Sequence, residues 1–135
     1  MTALAAASLS ERRILVVEDE YMIADEMVSM LVRAGAKVVG PVASLDDALH
    51  LLTTEHELDA AVLDVNLLGK MVWPVVEELL ERGVPLVLST GYDTSAIPAK
   101  YAMLQRCEKP IVGRDFTLAL EAAIDDVTNR SLFQP

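Results

Sequence analysis

Glu18-Asp19-Glu20, Asp64 with Asn66, Ser89-Thr90 and Lys109 are the positions whose residue types suit chemistry on a phosphoryl group. Each segment closes or follows a short apolar run, so one rim of a sheet could receive them all. Carboxylates that converge on one spot repel one another unless a cation neutralises them. Hard, partly hydrated oxygen ligands suit Mg²⁺. A Mg²⁺ beside a carboxylate can hold a phosphoryl group by its oxygens. An ammonium and a hydroxyl would complete the charge and hydrogen-bond requirements of a bound phosphate. An aspartate can itself be the nucleophile that accepts the group.

Taken singly, each residue has a plainer explanation. Asp64 could be a solvated strand end or the cap of a turn, and Glu18 and Asp19 could simply open a helix, where the dipole favours acids. Thr90-Gly91 could be a turn, and Lys109 before Pro110 a loop lysine. Their joint occurrence at separate strand ends is what favours the chemical reading. Other sharp readings fail. No Gly-rich phosphate loop followed by Lys-Ser/Thr is present. No G-x-G-x-x-G follows the first strand. His50 and His56 do not share a helix face, which argues against zinc and for surface positions.

The elements that must position these residues follow from hydrophobic spacing. Ile14 to Val17 is fully apolar and reads as a buried strand. Tyr21 to Ala34 carries Ile23, Met27, Met30 and Leu31 at helical spacing, and Gly35 stops it. Lys37 to Val42 is a second strand, broken by Gly40-Pro41. Ser44 caps the next helix, with Asp46 and Asp47 in its first turn. Asp59 to Val65 is a third strand, and a loop around Gly69 leads to a helix from Met71 to Arg82. Val84 to Leu88 forms the fourth strand. Ser95 to Ala102 is a weak helical segment containing Pro98. The stretch from Asp93 to Ala102 has a thin apolar stripe and is expected to be the most mobile region. Leu104 to Cys107 is a fifth strand. A last helix from Arg114 to Thr128 turns Phe116, Leu120, Ala123, Ile124 and Val127 inward. Such alternation predicts an α/β, doubly wound sandwich with helices on both faces of a parallel sheet.

Composition agrees with that architecture. A 135-residue chain has room for one domain, and its 53 % apolar content fills a core. Aromatics are only 4 %, and Val, Leu, Ala and Ile suit buried strands under helices. The net charge of −10 disfavours nucleic acid and an anionic membrane surface as partners. Cys107 is the single cysteine, so an intrachain disulfide is excluded, in keeping with a reducing cytosol. Met1 to Ser10 is Ala-rich but lacks a basic leader region, and reads as a tail rather than an export signal. No run reaches the length of a membrane span.

From Arg12 to Thr128 the chain resembles the receiver domain of response regulators. The resemblance is carried by Ile14-Leu15-Val16-Val17-Glu18-Asp19-Glu20, Leu63-Asp64-Val65-Asn66, Ser89-Thr90-Gly91-Tyr92 and Lys109-Pro110. It implies a (βα)5 flavodoxin-like sandwich with a five-stranded parallel sheet of order 2-1-3-4-5. The domain would run over 12–129, between an N-terminal tail, 1–11, and a C-terminal tail, 130–135. Asp64 would be the phosphoacceptor. Mg²⁺ would be held by Asp19 directly, by Glu18 through water, by Asp64, and by the backbone carbonyl of Asn66. Thr90 would bond the phosphoryl oxygen and Lys109 would pair with the phosphoryl group, with a cis bond to Pro110. The donor would be a histidine kinase or phosphotransfer protein. Val39-Gly40-Pro41 and Leu86 to Tyr92 further resemble the single-domain alphaproteobacterial regulators with a Phe-Ala-Thr-Gly-(Gly/Tyr)-Tyr motif, in which Leu88 and Ser89 replace the first two residues. That subgroup implies a cytoplasmic protein without an output domain, which signals to an unknown downstream protein by contact or serves as a phosphate sink.

One departure bears on mechanism. Arg106 stands where many receivers carry the aromatic residue that turns inward when the threonine moves, which leaves Tyr101 or Tyr92 as substitutes. Tyr92 could also shield the acyl phosphate from water. A phosphorylation-independent, receiver-like scaffold therefore stays open as an alternative. A phosphatase with the same nucleophile is disfavoured, because Asn66 stands where such enzymes need a second acid. A homodimer through the first and last helices or through the switch face stays open, since the apolar stripes are needed for the core and do not decide it.

Overall fold

Three apolar runs bury both of their faces at the centre of a parallel sheet, and two less buried strands flank them. In the computed structural model, which describes residues 8–91 and 97–133 with side chains through 127, the five are β1 (Arg13–Val17), β2 (Lys37–Val42), β3 (Ala60–Asp64), β6 (Leu86–Thr90) and β7 (Gln105–Glu108). A two-stranded antiparallel hairpin, β4 (Asn66–Leu67) and β5 (Lys70–Met71), lies apart from them. The main sheet has the order β2-β1-β3-β6-β7. With the hairpin set aside this is the expected 2-1-3-4-5. The helices are α1 (Tyr21–Arg33), α2 (Leu45–Leu52), α3 (Trp73–Glu81) and α4 (Gly113–Phe133).

Alternation along the strands divides the core in two. Leu15, Val17, Ala61, Leu63, Leu86 and Leu88 pack with Ala48 and Leu52 of α2 and with Val75, Val76 and Leu79 of α3. Ile14, Val16, Ala60, Val62, Val87 and Cys107 face Met27 and Leu31 of α1 and Phe116, Leu120 and Ile124 of α4. Burial on both faces is why β1 and β3 read as continuous apolar runs rather than alternating ones. Ser44 caps α2 as expected, its hydroxyl accepting the Asp47 N–H at 3.1 Å.

Several boundaries differ from the sequence expectation. Gly40-Pro41 does not break β2. Gly40 adopts φ +94° and the pairing slips between Leu15 and Val17, so the strand bulges and continues. A Cβ there would sit 3.0 Å from both Val16 O and Val42 N. The helix expected from Met71 starts at Trp73, because Leu68 and Gly69 both take positive φ (53° and 90°) and turn Asn66–Met71 into the hairpin. β6 begins at Leu86 rather than Val84, whose N–H instead caps α3 on Leu79 O at 2.9 Å. Of the helix expected over 95–102, the described residues form only a 3₁₀ turn, Ala99–Tyr101, after Pro98. Residues 92–96, with Tyr92 and the first four residues of the stretch expected to be mobile, lie outside the described residues.

Leu104 stays in that turn through Tyr101 O, which moves β7 to Gln105–Glu108. α4 continues to Phe133, past the expected end at Thr128. At the other terminus Leu9 is buried, and Glu11 N–H bonds Gly35 O at 2.8 Å, so the described part of the expected tail packs on the domain. Among the described residues no helix is long and apolar enough to cross a membrane.

Candidate functional site

The C-terminal ends of β1, β3, β6 and β7 deliver the polar residues to one rim, beside the point where the strand order reverses between β1 and β3. Glu18 directly follows β1 and is held by its own N–H on Val42 O at 3.0 Å. Its side chain is fully enclosed, with Oε2 accepting the Glu20 N–H at 3.0 Å. Asp64 ends β3 and is 5 % exposed. Its Oδ1 accepts the Asn66 N–H at 3.2 Å and its Oδ2 the Lys109 ammonium at 3.1 Å. Lys109 follows β7, is tied to β6 by its N–H on Thr90 O at 2.8 Å, and has a cis bond to Pro110. Its Nζ also lies 3.3 Å from Glu18 Oε1 and 3.4 Å from Oε2. An open cleft lined by Asp19, Asp64, Asn66, Gly91, Lys109 and Pro110 exposes this centre to solvent.

Burial sets the electrostatics. It pushes the Glu18 carboxyl up to about 8, with the Asp64 neighbour adding to the shift and Lys109 opposing it. Burial likewise raises Asp64, against the pull of Glu18 and Lys109. At Asp19 burial opposes ionisation but is outweighed by hydrogen bonds from the Asp64 and Glu18 carboxyls and from the Leu68 N–H, so this group is held below the ordinary aspartate value. Desolvation would lower Lys109, yet its contacts with Asp64 and Glu18 win and keep it charged. Burial thus favours the protonated form of Glu18 near neutral pH, while the surroundings favour Asp19 as a carboxylate and Lys109 as an ammonium.

Three buried oxygens have no hydrogen-bond partner among the described residues: Glu18 Oε1, Ser89 Oγ and Thr90 Oγ1. Lys109 stands near the first without hydrogen-bond geometry. An unpartnered buried oxygen is costly, and here all three sit at the same rim. The orphaned carboxylate oxygen and the hard donor set fit a small oxygen-loving cation such as Mg²⁺. The mutually close carboxylates are Glu18, Asp19 and Glu20, whose ligand atoms lie within 4.8 Å of one another.

The structure thus brings Glu18, Asp64 and Lys109 into contact and places Asp19, Asn66 and Thr90 around them. Glu20 joins the carboxylate group although the sequence reading left it out of the metal set. Leu68, 81 % exposed at the hairpin tip, was not legible either, because its role is a backbone N–H on Asp19 Oδ2 at 3.0 Å. The Asn66 side chain turns away to accept the Gly69 N–H at 2.7 Å. Arg106 donates to Ala102 O at 3.2 Å. Tyr101 stacks on Trp73, with ring centroids 4.7 Å apart, and its hydroxyl donates to Glu77, which anchors that ring to α3. His50 and His56 are both exposed, as expected.

A doubly wound sheet with acids, a hydroxyl and an ammonium gathered at its switch point is suited to holding a phosphoryl group. The chain is 32 % identical to SdrG from Sphingomonas melonis Fr1, covering 87 % of this chain and 98 % of that one, with a TM-score of 0.75. The BeF3-activated conformation of SdrG, reported from Pseudomonas melonis Fr1, matches at the same identity over 85 % and 98 %, with a TM-score of 0.72. A response regulator receiver protein from Sinorhizobium medicae WSM419 shares the fold at 23 % identity, over 89 % and 99 %, with a TM-score of 0.74. No protein-family profile matches the chain, and no curated protein sequence is significantly similar to it. The chain belongs to the response regulator receiver family of two-component signalling.

Proposed function

We propose that this protein is a phosphorylation switch whose phosphoacceptor is Asp64. The observation that supports this best is the Lys109 ammonium bonded to both Asp64 and Glu18 beside the unpartnered Thr90 hydroxyl. In this reading an Asp64 oxygen bonds to phosphorus as the P–N bond of a phosphohistidine breaks. The bonding pair returns to the imidazole nitrogen, which takes up a proton. The donor is a histidine kinase or a phosphotransfer protein. Lys109 pairs with the transferred group and Thr90 hydrogen-bonds it. Glu18, Asp19, Asp64 and the Asn66 carbonyl would hold Mg²⁺, with Glu20 at the edge of the set. Bound there, the ion would neutralise the carboxylates and the charge of the phosphoryl oxygens.

The new charge would bias the face formed by the 99–101 turn, β7 and α4, and the message would pass by protein–protein contact. The partial motif Leu88-Ser89-Thr90-Gly91-Tyr92 supports placement in the alphaproteobacterial single-domain subgroup and a cytoplasmic setting. The domain proper would span 12–129. A phosphatase is disfavoured on the same ground as before, since Asn66 cannot supply a proton and its amide oxygen is engaged by Gly69.

SdrG is known in a BeF3-activated conformation, which suggests the test. Beryllofluoride with Mg²⁺ should bind this protein with 1:1 stoichiometry and move the amide resonances of Asp64, Thr90 and Lys109. Asp64→Asn should abolish the response. Identical spectra with and without the anion would move the reading to a phosphorylation-independent scaffold.

A further inference from the structure

Ser89 is the residue at the rim that the phosphoacceptor reading does not use. It is wholly buried, yet its hydroxyl has no partner among the described residues. A serine placed there only for its small size would be better replaced by alanine, because an orphaned buried hydroxyl costs stability. Its position in the sheet gives the hydroxyl a use. Asp64 and Ser89 are register partners across β3 and β6, and Ser89 and Cys107 across β6 and β7. Register partners project to the same face, and Val62, Val87 and Cys107 mark that face as the one under α1 and α4. β6 lies between the other two strands. Lys109 therefore starts from β7 and must cross the end of β6 to reach Asp64 on β3. Ser89 is on the strand it crosses.

An ammonium has three N–H donors. Those of Lys109 now serve Asp64 Oδ2 and Glu18. Once Asp64 carries a phosphoryl group and Glu18 turns to the metal, the ammonium loses these carboxylate contacts. We propose that the Ser89 hydroxyl then bridges the pair, accepting a hydrogen bond from Lys109 and donating its own proton to a phosphoryl oxygen. Ser89 is thus a positioning residue that keeps the lysine on the transferred group, and the proposal rests on Asp64 being the phosphoacceptor.

The test compares the affinity of the full chain for beryllofluoride in Mg²⁺ with that of Ser89→Ala and Ser89→Thr, alongside ligand-free melting temperatures. Ser89→Ala should weaken binding about tenfold, the loss expected for a hydrogen bond to a charged group, with a melting temperature equal to or above that of the wild type. Ser89→Thr keeps the hydroxyl, and where its melting temperature shows it folded it should bind more tightly than Ser89→Ala. Wild-type affinity in Ser89→Ala overturns the proposal. So does a weakened affinity matched by a lower melting temperature, which would mark a purely structural role. Failure of the wild type itself to bind would instead overturn the phosphoacceptor reading, and this inference with it.

Discussion

Lys109→Ala should slow phosphoryl uptake on Asp64 from a small-molecule donor by about 100-fold, the usual cost of losing one preorganised charge-stabilising donor. Among the described residues Lys109 is the only cation paired with Asp64 or Glu18. Its side chain is only 17 % exposed, so water replaces it poorly. The same substitution removes the partner of two buried carboxyls. The metal-free protein should therefore lose about 2 kcal/mol at pH 8, where both carboxyls are pressed to ionise. Near pH 5.5, where Glu18 keeps its proton, the loss should be smaller. Progress curves by intact mass and urea unfolding in chelator at the two pH values check both parts. A rate within twofold of the wild type would remove Lys109 from the phosphoryl site.

Mg²⁺ affinity should rise steeply with pH between 6 and about 8, by up to tenfold per unit, and level off above. The cause is the Glu18 carboxyl, which burial and the neighbouring Asp64 carry to about 8, so that the ion must displace a proton to bind. Calorimetry in buffers of different ionisation enthalpy should report close to one proton released per ion near neutrality. The sign of the stability effect follows from the same shift. A carboxyl whose folded value lies above its ordinary 4.5 contributes stability below 4.5 and loses it as pH rises towards 8. The metal-free melting temperature should fall across that window, and added Mg²⁺ should restore it most at the alkaline end. Glu18→Gln should flatten both profiles. A Mg²⁺ affinity independent of pH would mean that Glu18 is already ionised in the free protein.

The strand core and the site residues were legible for the same physical reason. A strand buried on both faces must be apolar along its whole length, so the first polar residue marks its end. In this architecture, strand ends are where ligands bind. Glu18 and Asp64 could be assigned in that way, whereas Thr90 and Lys109 rested on the resemblance of their segments. What escaped the sequence depends on backbone conformation rather than residue type. Leu68 adopts a left-handed conformation that its side chain does not advertise, and it bonds Asp19 through an amide. Gly40 looked like a strand breaker because its spacing cannot distinguish an end from a bulge. Met71 and Val72 fitted the helical pattern of α3, yet Val72 N–H closes the hairpin on Val65 O at 3.0 Å. Ser89 passed as one letter of a motif, and only the register beside Asp64 and its lack of a partner among the described residues set it apart. Tyr101 was one of two candidate rings at the switch, and its stack on Trp73 depends on a contact with α3 that is distant in sequence.

The most direct test of the central claim is intact-mass measurement of the protein after incubation with acetyl phosphate and Mg²⁺, with Asp64→Ala as control. The protein should gain one phosphoryl group, dependent on the metal and absent from the variant. A mass unchanged under every condition, or a gain that persists in Asp64→Ala, would contradict it.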